Sequence, residues 1–217
     1  MTAQLGLLSS AVVLCGGKST RAGFDKQTIR IDDMWIAEWI ADRLANVFDE
    51  VLLVTNRPAL YAHTPFLIVQ DLIRGVGPLG GIHAGLTYAR HDWVFVTACD
   101  MPNISEDYLR LLARLARETS SDALVVRQEN GFPEPMNAFY HKNCLPVMEQ
   151  SLLNGERKIA DFLQKISASD LPERELIPLG GHESLFYNMN TPKEIRIVQD
   201  QRALLCPLLK TAGGDAH

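Results

Sequence analysis

Long apolar runs are missing from this sequence, and no stretch approaches the roughly 18 apolar residues that a membrane-spanning helix needs. Cysteine is scarce: Cys15, Cys99, Cys144 and Cys206 are scattered, with no CxxC pair. That pattern reads as reduced thiols in a cytoplasmic protein. The six histidines show no metal-ligand spacing. Basic charge is in deficit, with a formal net charge of -5 and a pI of about 5.7. No long basic stripe appears, so nucleic acid is not an expected partner, and neither is a membrane. No Lys or Arg precedes the apolar run before Gly16, which argues against a signal peptide. Repeats and low-complexity segments are absent as well.

What is present is a hydrophobic content of 47% over 217 residues. That suits one domain with a full core, expected over 1–210 and followed by a disordered tail at 211–217. Short apolar runs at 11–15, 50–55, 66–69, 93–99 and 122–127 predict buried strands. Helical spacing over 36–48, 81–90 and 105–118 alternates with them. Beyond Gly131 the pattern loosens. An antiparallel strand is predicted over 136–140, helices over 143–153 and 158–165, and a short strand over 184–187. A last helix opens at Pro192. The fold class is α/β: a three-layer, doubly wound, mostly parallel sheet with a Rossmann-like nucleotide-binding half and an antiparallel addition.

In open α/β sheets, ligands bind beyond the carboxyl ends of the strands. The first such end is Leu14-Cys15-Gly16-Gly17, followed by Lys18 to Lys26. Its glycines let backbone N–H groups approach a polyanion. Arg21 and Lys26 supply two cations, each good for roughly 1.5–3 kcal/mol in a charge-assisted hydrogen bond. The segment imitates a P-loop, but Val12 stands where that motif needs glycine. The bland alternative is a glycine-rich turn with solvated charges.

Gly75-Val76-Gly77-Pro78-Leu79-Gly80 matches a dinucleotide fingerprint letter for letter, with Asp100 about 20 residues on. A nicotinamide- or flavin-binding oxidoreductase is therefore a rival reading. It ranks lower because Pro78 removes an N–H donor and because the usual fingerprint sits at the first βα turn, not after the third strand. Asp100 ends a buried strand. Beside a triphosphate a bare carboxylate would be repelled, by about 4 kcal/mol per unit charge at 4 Å and an effective dielectric near 20. A divalent cation reverses that sign, and Mg2+ binds through one or two carboxylates plus phosphate oxygens. Asp100 is thus the candidate metal ligand, against the alternative of a turn before Pro102.

Four segments, in order, resemble the molybdenum cofactor guanylyltransferase family: Leu14-Cys15-Gly16-Gly17-x-Ser19-x-Arg21-x-Gly23-x-Asp25-Lys26, Gly77-Pro78-Leu79-Gly80-Gly81-Ile82, Cys99-Asp100-Met101-Pro102, and Asn188-Met189-Asn190-Thr191-Pro192. Cys15 and Ala22 replace the usual alanine and methionine, and both swaps stay apolar. The resemblance spans about 11–200. It implies GTP as substrate, Mg2+ as cofactor, molybdopterin or molybdenum cofactor as acceptor, and transient contact with cofactor-synthesis or molybdoenzyme-maturation proteins. It assigns Arg21, Lys26 and Asp100 to catalysis. Leu14, Cys15, Gly16, Gly17, Asn56, Asp71 and Gly80 fall to the nucleotide, and Asn188 and Asn190 to the acceptor or metal. Arg157 and Lys158 form a basic turn that could grip a pterin phosphate or simply be solvated. Asp71 could read guanine's N1–H and N2 amine, or touch ribose. A cytidylyltransferase of the same fold and a catalytically silent nucleotide-binding partner remain alternatives.

Overall fold

The computed structural model describes residues 7–16, 25–31, 33–176, 186 and 188–200. The chain opens with β1 (Leu7–Leu14), then a small antiparallel ribbon of β2 (Arg30–Ile31) and β3 (Met34–Trp35) that leads into α1 (Ile36–Leu44). Next come β4 (Phe48–Val54), β5 (Leu67–Val69), α2 (Pro78–Tyr88), β6 (Trp93–Ala98) and α3 (Glu106–Glu118). The second half holds β7 (Ala123–Arg127), β8 (Pro133–His141), α4 (Leu145–Leu153), α5 (Ile159–Leu163), β9 (Ala168–Pro172) and α6 (Pro192–Asp200).

Seven strands form one sheet in the order β5-β4-β1-β6-β8-β7-β9. Among the described strands of this sheet only β8 runs against the rest, pairing antiparallel with both β6 and β7. The strand order reverses direction between β1 and β6, which is the switch point where such sheets bind ligands.

Alternation along β1 builds the two faces. Ala11 and Val13 point into one core with residues of α1 and α3, while Val12 and Leu14 point into a second core with α2, α4 and α5. The result is three layers. Phe48 and Phe95 stack in the first core with ring centroids 5.5 Å apart. On the other face Gly85 lets α2 lie close against β1, since a Cβ there would fall 2.8 Å from Val12 Cγ2. That close approach sets where the start of α2 meets the strand ends.

Boundaries depart from expectation in informative places. β1 starts at Leu7 rather than 11, with Ser9 and Ser10 buried; the Ser10 hydroxyl is satisfied inside the strand by donating to Glu50 Oε2 at 2.5 Å. α1 ends at Leu44, short of the predicted 48, because Phe48 is taken by β4. α2 begins at Pro78 rather than 81, with proline at a first-turn position. β9 was not predicted: it is a polar edge strand ending in proline, with no apolar run to betray it. Of the strand expected over 184–187, residues 184, 185 and 187 lie outside the described residues, as does the tail at 211–217. Among the described residues, no helix is long and apolar enough to cross a membrane.

Candidate active site

The ladder continues one residue past each central strand. Cys15 N donates to Val54 O at 2.8 Å, Cys99 N to Leu14 O at 3.1 Å, and Thr55 N to Val69 O at 2.9 Å. Gly16, Asn56, Asp71 and Asp100 therefore follow aligned strand ends on one edge of the sheet. Leu14 O and Cys15 N are spent on this ladder, and the two side chains are buried on opposite faces. Burial pushes the Cys15 thiol up, and the Cys99 thiol up to about 12. Gly16 is exposed, and a Cβ there would meet nothing within 4 Å, so packing does not demand glycine.

Lys26 joins three distant parts of the chain. Its Nζ forms an ion pair with Asp100 Oδ2 and donates to Asn190 Oδ1 at 2.8 Å. The segment carrying Asn190 is itself docked, because Met189 N donates to Asp100 O at 2.9 Å and Met189 is fully buried. Thr191 and Glu194 then cap α6 reciprocally. Thr191 N donates to Glu194 Oε2 at 2.7 Å, and Glu194 N donates to Thr191 Oγ1 at 3.3 Å. Asn188 lies beside this group, its Nδ2 donating to Phe186 O at 3.3 Å.

Lys26 is held from behind by contacts the sequence did not reveal. Asp25 Oδ1 accepts from Gln27 N at 3.0 Å, starting a single 3-10 turn at Lys26–Thr28, while Asp25 Oδ2 pairs with Arg57. Buried Thr55 donates to Gln27 Oε1 at 2.8 Å and accepts from Arg57 N at 3.0 Å. Both flanks of Lys26 are thus fastened to the end of β4. Loop residues of this kind carry no periodic signal from which the pairing could be read.

Asn56 and Asp71 form a second group, with Asn56 Nδ2 donating to Asp71 Oδ2 at 2.7 Å. Gly80, expected in a loop, lies inside the first turn of α2 and is buried. A Cβ on it would collide with Val76 Cγ2, so glycine there answers a packing need. Gly77, at φ 76°, precedes Pro78 and turns the chain into the helix.

Arg157 and Lys158 stand apart, exposed in the turn between α4 and α5 and bonded to none of these residues. Gly17 and Arg21 lie outside the described residues. Sequence reading gave Glu134 no chemistry. It is largely buried near Asp100, and burial raises its carboxyl above the ordinary carboxylate range. Its oxygens accept from Gln128 Nε2 and Met136 N, both at 3.0 Å. Among the described residues, no group of three His, Cys, Asp or Glu side chains could enclose a metal. Asp100 alone, next to an ammonium, fits a cation that brings phosphate oxygens as its other ligands.

A doubly wound sheet with Gly16, Lys26 and Asp100 at the ligand-binding ends of its strands suits a nucleotide, and the family match makes the class that of a nucleotidyltransferase. The chain belongs to the MobA-like NTP transferase domain family, which matches residues 11–170. It is 39% identical to a "Probable molybdenum cofactor guanylyltransferase" of Peptoclostridium acidaminophilum, over 88% of each chain. It is 38% identical to a molybdenum cofactor guanylyltransferase of Syntrophotalea carbinolica, over 85% of this chain and 88% of that one. The crystal structure of molybdopterin-guanine dinucleotide biosynthesis protein A from Archaeoglobus fulgidus superposes with a TM-score of 0.78 at 26% identity, covering 90% of this chain and 99% of that one.

Proposed function

We propose that this protein transfers GMP from GTP to the terminal phosphate of molybdopterin or molybdenum cofactor, in the cytoplasm, releasing pyrophosphate and leaving a guanine dinucleotide cofactor. The observation that carries this reading is Lys26 bridging Asp100 and Asn190 at the switch point. The relatives' names supply the guanine and the molybdopterin.

Gly16 offers a backbone that the triphosphate can approach without a side chain in the way. Lys26 leaves Asp100 for the phosphates and stabilises the charge that grows on them. Asp100, together with phosphate oxygens, would hold Mg2+, which would supply charge neutralisation at the reacting phosphate. An oxygen of the acceptor's terminal phosphate attacks the α-phosphorus. The bond from α-phosphorus to its bridging oxygen breaks, and pyrophosphate departs with the electron pair. The attacking oxygen is already ionised, so the chain needs no strong general base, and alignment and electrostatics do the catalysis. Asp71, oriented by Asn56, accepts from guanine N1–H and the N2 amine, an edge that cytosine does not offer.

The test is pyrophosphate release by the full chain with Mg2+ and molybdopterin, comparing GTP with CTP. Release with GTP in clear excess over CTP supports the proposal. Preference for CTP, or no release with either, overturns it.

A further inference from the structure

The strand β8 carries a device that nothing in the reaction above uses. Opposite β7, the pairs Leu124–Phe139 and Val126–Glu134 leave one residue, Val125, facing four, Pro135 to Ala138. The surplus is a bulge, and it sits where β8 runs past the end of β6, just beyond the Val96–Ala138 pair. Asn137 turns the bulge with φ at 52°, the left-handed region that asparagine tolerates better than most residues. The sequence shows it only as a polar residue interrupting Met136-Asn137-Ala138-Phe139-Tyr140.

Asn137 is almost fully buried, and two elements fasten to it. Thr97 Oγ1, on β6, donates to Asn137 Oδ1 at 2.6 Å. Tyr108 OH, in the first turn of α3, donates to Asn137 O at 2.7 Å. Tyr140 OH closes the bulge from the other side, donating to Pro135 O at 2.8 Å. Thr97 and Tyr108 bracket the segment that carries Asp100. The turn presenting Asp100 starts directly after Thr97, with Met101 N donating to Ala98 O at 3.0 Å. Ser105 then caps α3. Tyr108 also meets Phe186 edge to face, with centroids 6.4 Å apart, next to the segment that binds Asp100 O through Met189.

From this juxtaposition we infer that Asn137 is a positioning residue for the Asp100 carboxylate: it ties both ends of the Asp100 loop to one left-handed residue and so holds the divalent ion's ligand in register with the phosphates. The inference rests on Asp100 being that ligand. Groups that orient a metal's ligands typically change affinity or activity by about 10–100-fold when removed.

The test measures Mn2+ binding to the full chain with GTP by electron paramagnetic resonance, beside kcat, KM for GTP and thermal melting. Asn137→Gly keeps the left-handed backbone and removes the amide, and Thr97→Val removes the donor at nearly constant shape. Each is expected to weaken Mn2+ binding about tenfold or more and to lower kcat, with KM for GTP little changed. Thr97→Ser, which keeps the hydroxyl, is expected to restore near-normal binding. If Asn137→Gly does not fold, Thr97→Val and Thr97→Ser carry the comparison. Wild-type Mn2+ binding in the folded variants, with a lowered melting temperature alone, overturns the inference and leaves Asn137 a structural residue. Asp100→Asn separates the two levels. If it too leaves Mn2+ binding unchanged, the metal assignment fails as well; if it abolishes binding while Asn137→Gly does not, only the positioning role fails.

Discussion

Lys26 and Asp100 are 74 positions apart in the sequence and are joined by an ion pair at the edge of the sheet, with side chains only 14% and 16% exposed. Each neutralises the other in the absence of substrate, and each is placed to meet the opposite charge of a metal-bound triphosphate. Lys26→Ala and Asp100→Ala are expected to lower turnover on the order of a hundredfold or more. Steady-state pyrophosphate release checks this, with a melting curve to show that each variant is folded. Near-normal rates in either remove the assigned role.

Gly16 and Gly80 should separate ligand from packing. Gly16→Ala meets no neighbour, so its stability is expected to stay within about 1 kcal/mol of wild type while KM for GTP rises. Gly80→Ala collides with Val76, and overpacking of that kind costs about 1–3 kcal/mol. Urea denaturation and KM measured on both variants check the pair. A stability loss at Gly16 equal to that at Gly80 contradicts it.

Asp71→Asn keeps the size of the side chain and its place beside Asn56, and it removes the charge that would accept from guanine. A charge-assisted hydrogen bond of roughly 1.5–3 kcal/mol corresponds to about a tenfold to hundredfold loss in kcat/KM for GTP. The rate with CTP is expected to change little, so the GTP to CTP ratio falls. An unchanged ratio returns Asp71 to a ribose or turn role.

The strand ends could be read from the sequence because apolar runs ending in glycine, amide or carboxylate are local patterns, and the structure aligns the ends that carry Gly16, Asn56, Asp71 and Asp100. Lys26 was expected to share a triphosphate with Asp100, and the structure joins the two side chains. The supports were not readable. Gln27 with Thr55, Asp25 with Arg57, and Thr97 with Asn137 are single long-range hydrogen bonds or ion pairs, and no periodicity announces them. The polar edge strand β9 escaped for a related reason: its pairing with β7 comes from tertiary context rather than from an apolar run.

Glu134 gives a pH-dependent prediction. Burial is the main cause of its raised carboxyl, the Met136 amide opposes it, and the charges of Asp100 and Glu173 add to it. Ionisation then costs more in the folded chain than in the unfolded one. Its stability contribution is present below the unfolded value and is lost as pH rises through the folded one. Glu134→Gln removes that loss, so the variant's melting temperature relative to wild type is expected to climb as pH rises from about 4, the ordinary carboxylate value, toward neutrality. Melting curves across that range decide it, and a difference that stays flat or shrinks contradicts the assignment.

The most direct measurement is a crystal structure of the full chain grown with GTP and Mn2+, read by anomalous scattering. A manganese peak is expected within about 2.2 Å of an Asp100 carboxylate oxygen, touching the triphosphate, with Lys26 turned from Asp100 to the phosphates. A triphosphate bound elsewhere, or a metal that leaves the Lys26–Asp100 pair intact, contradicts it.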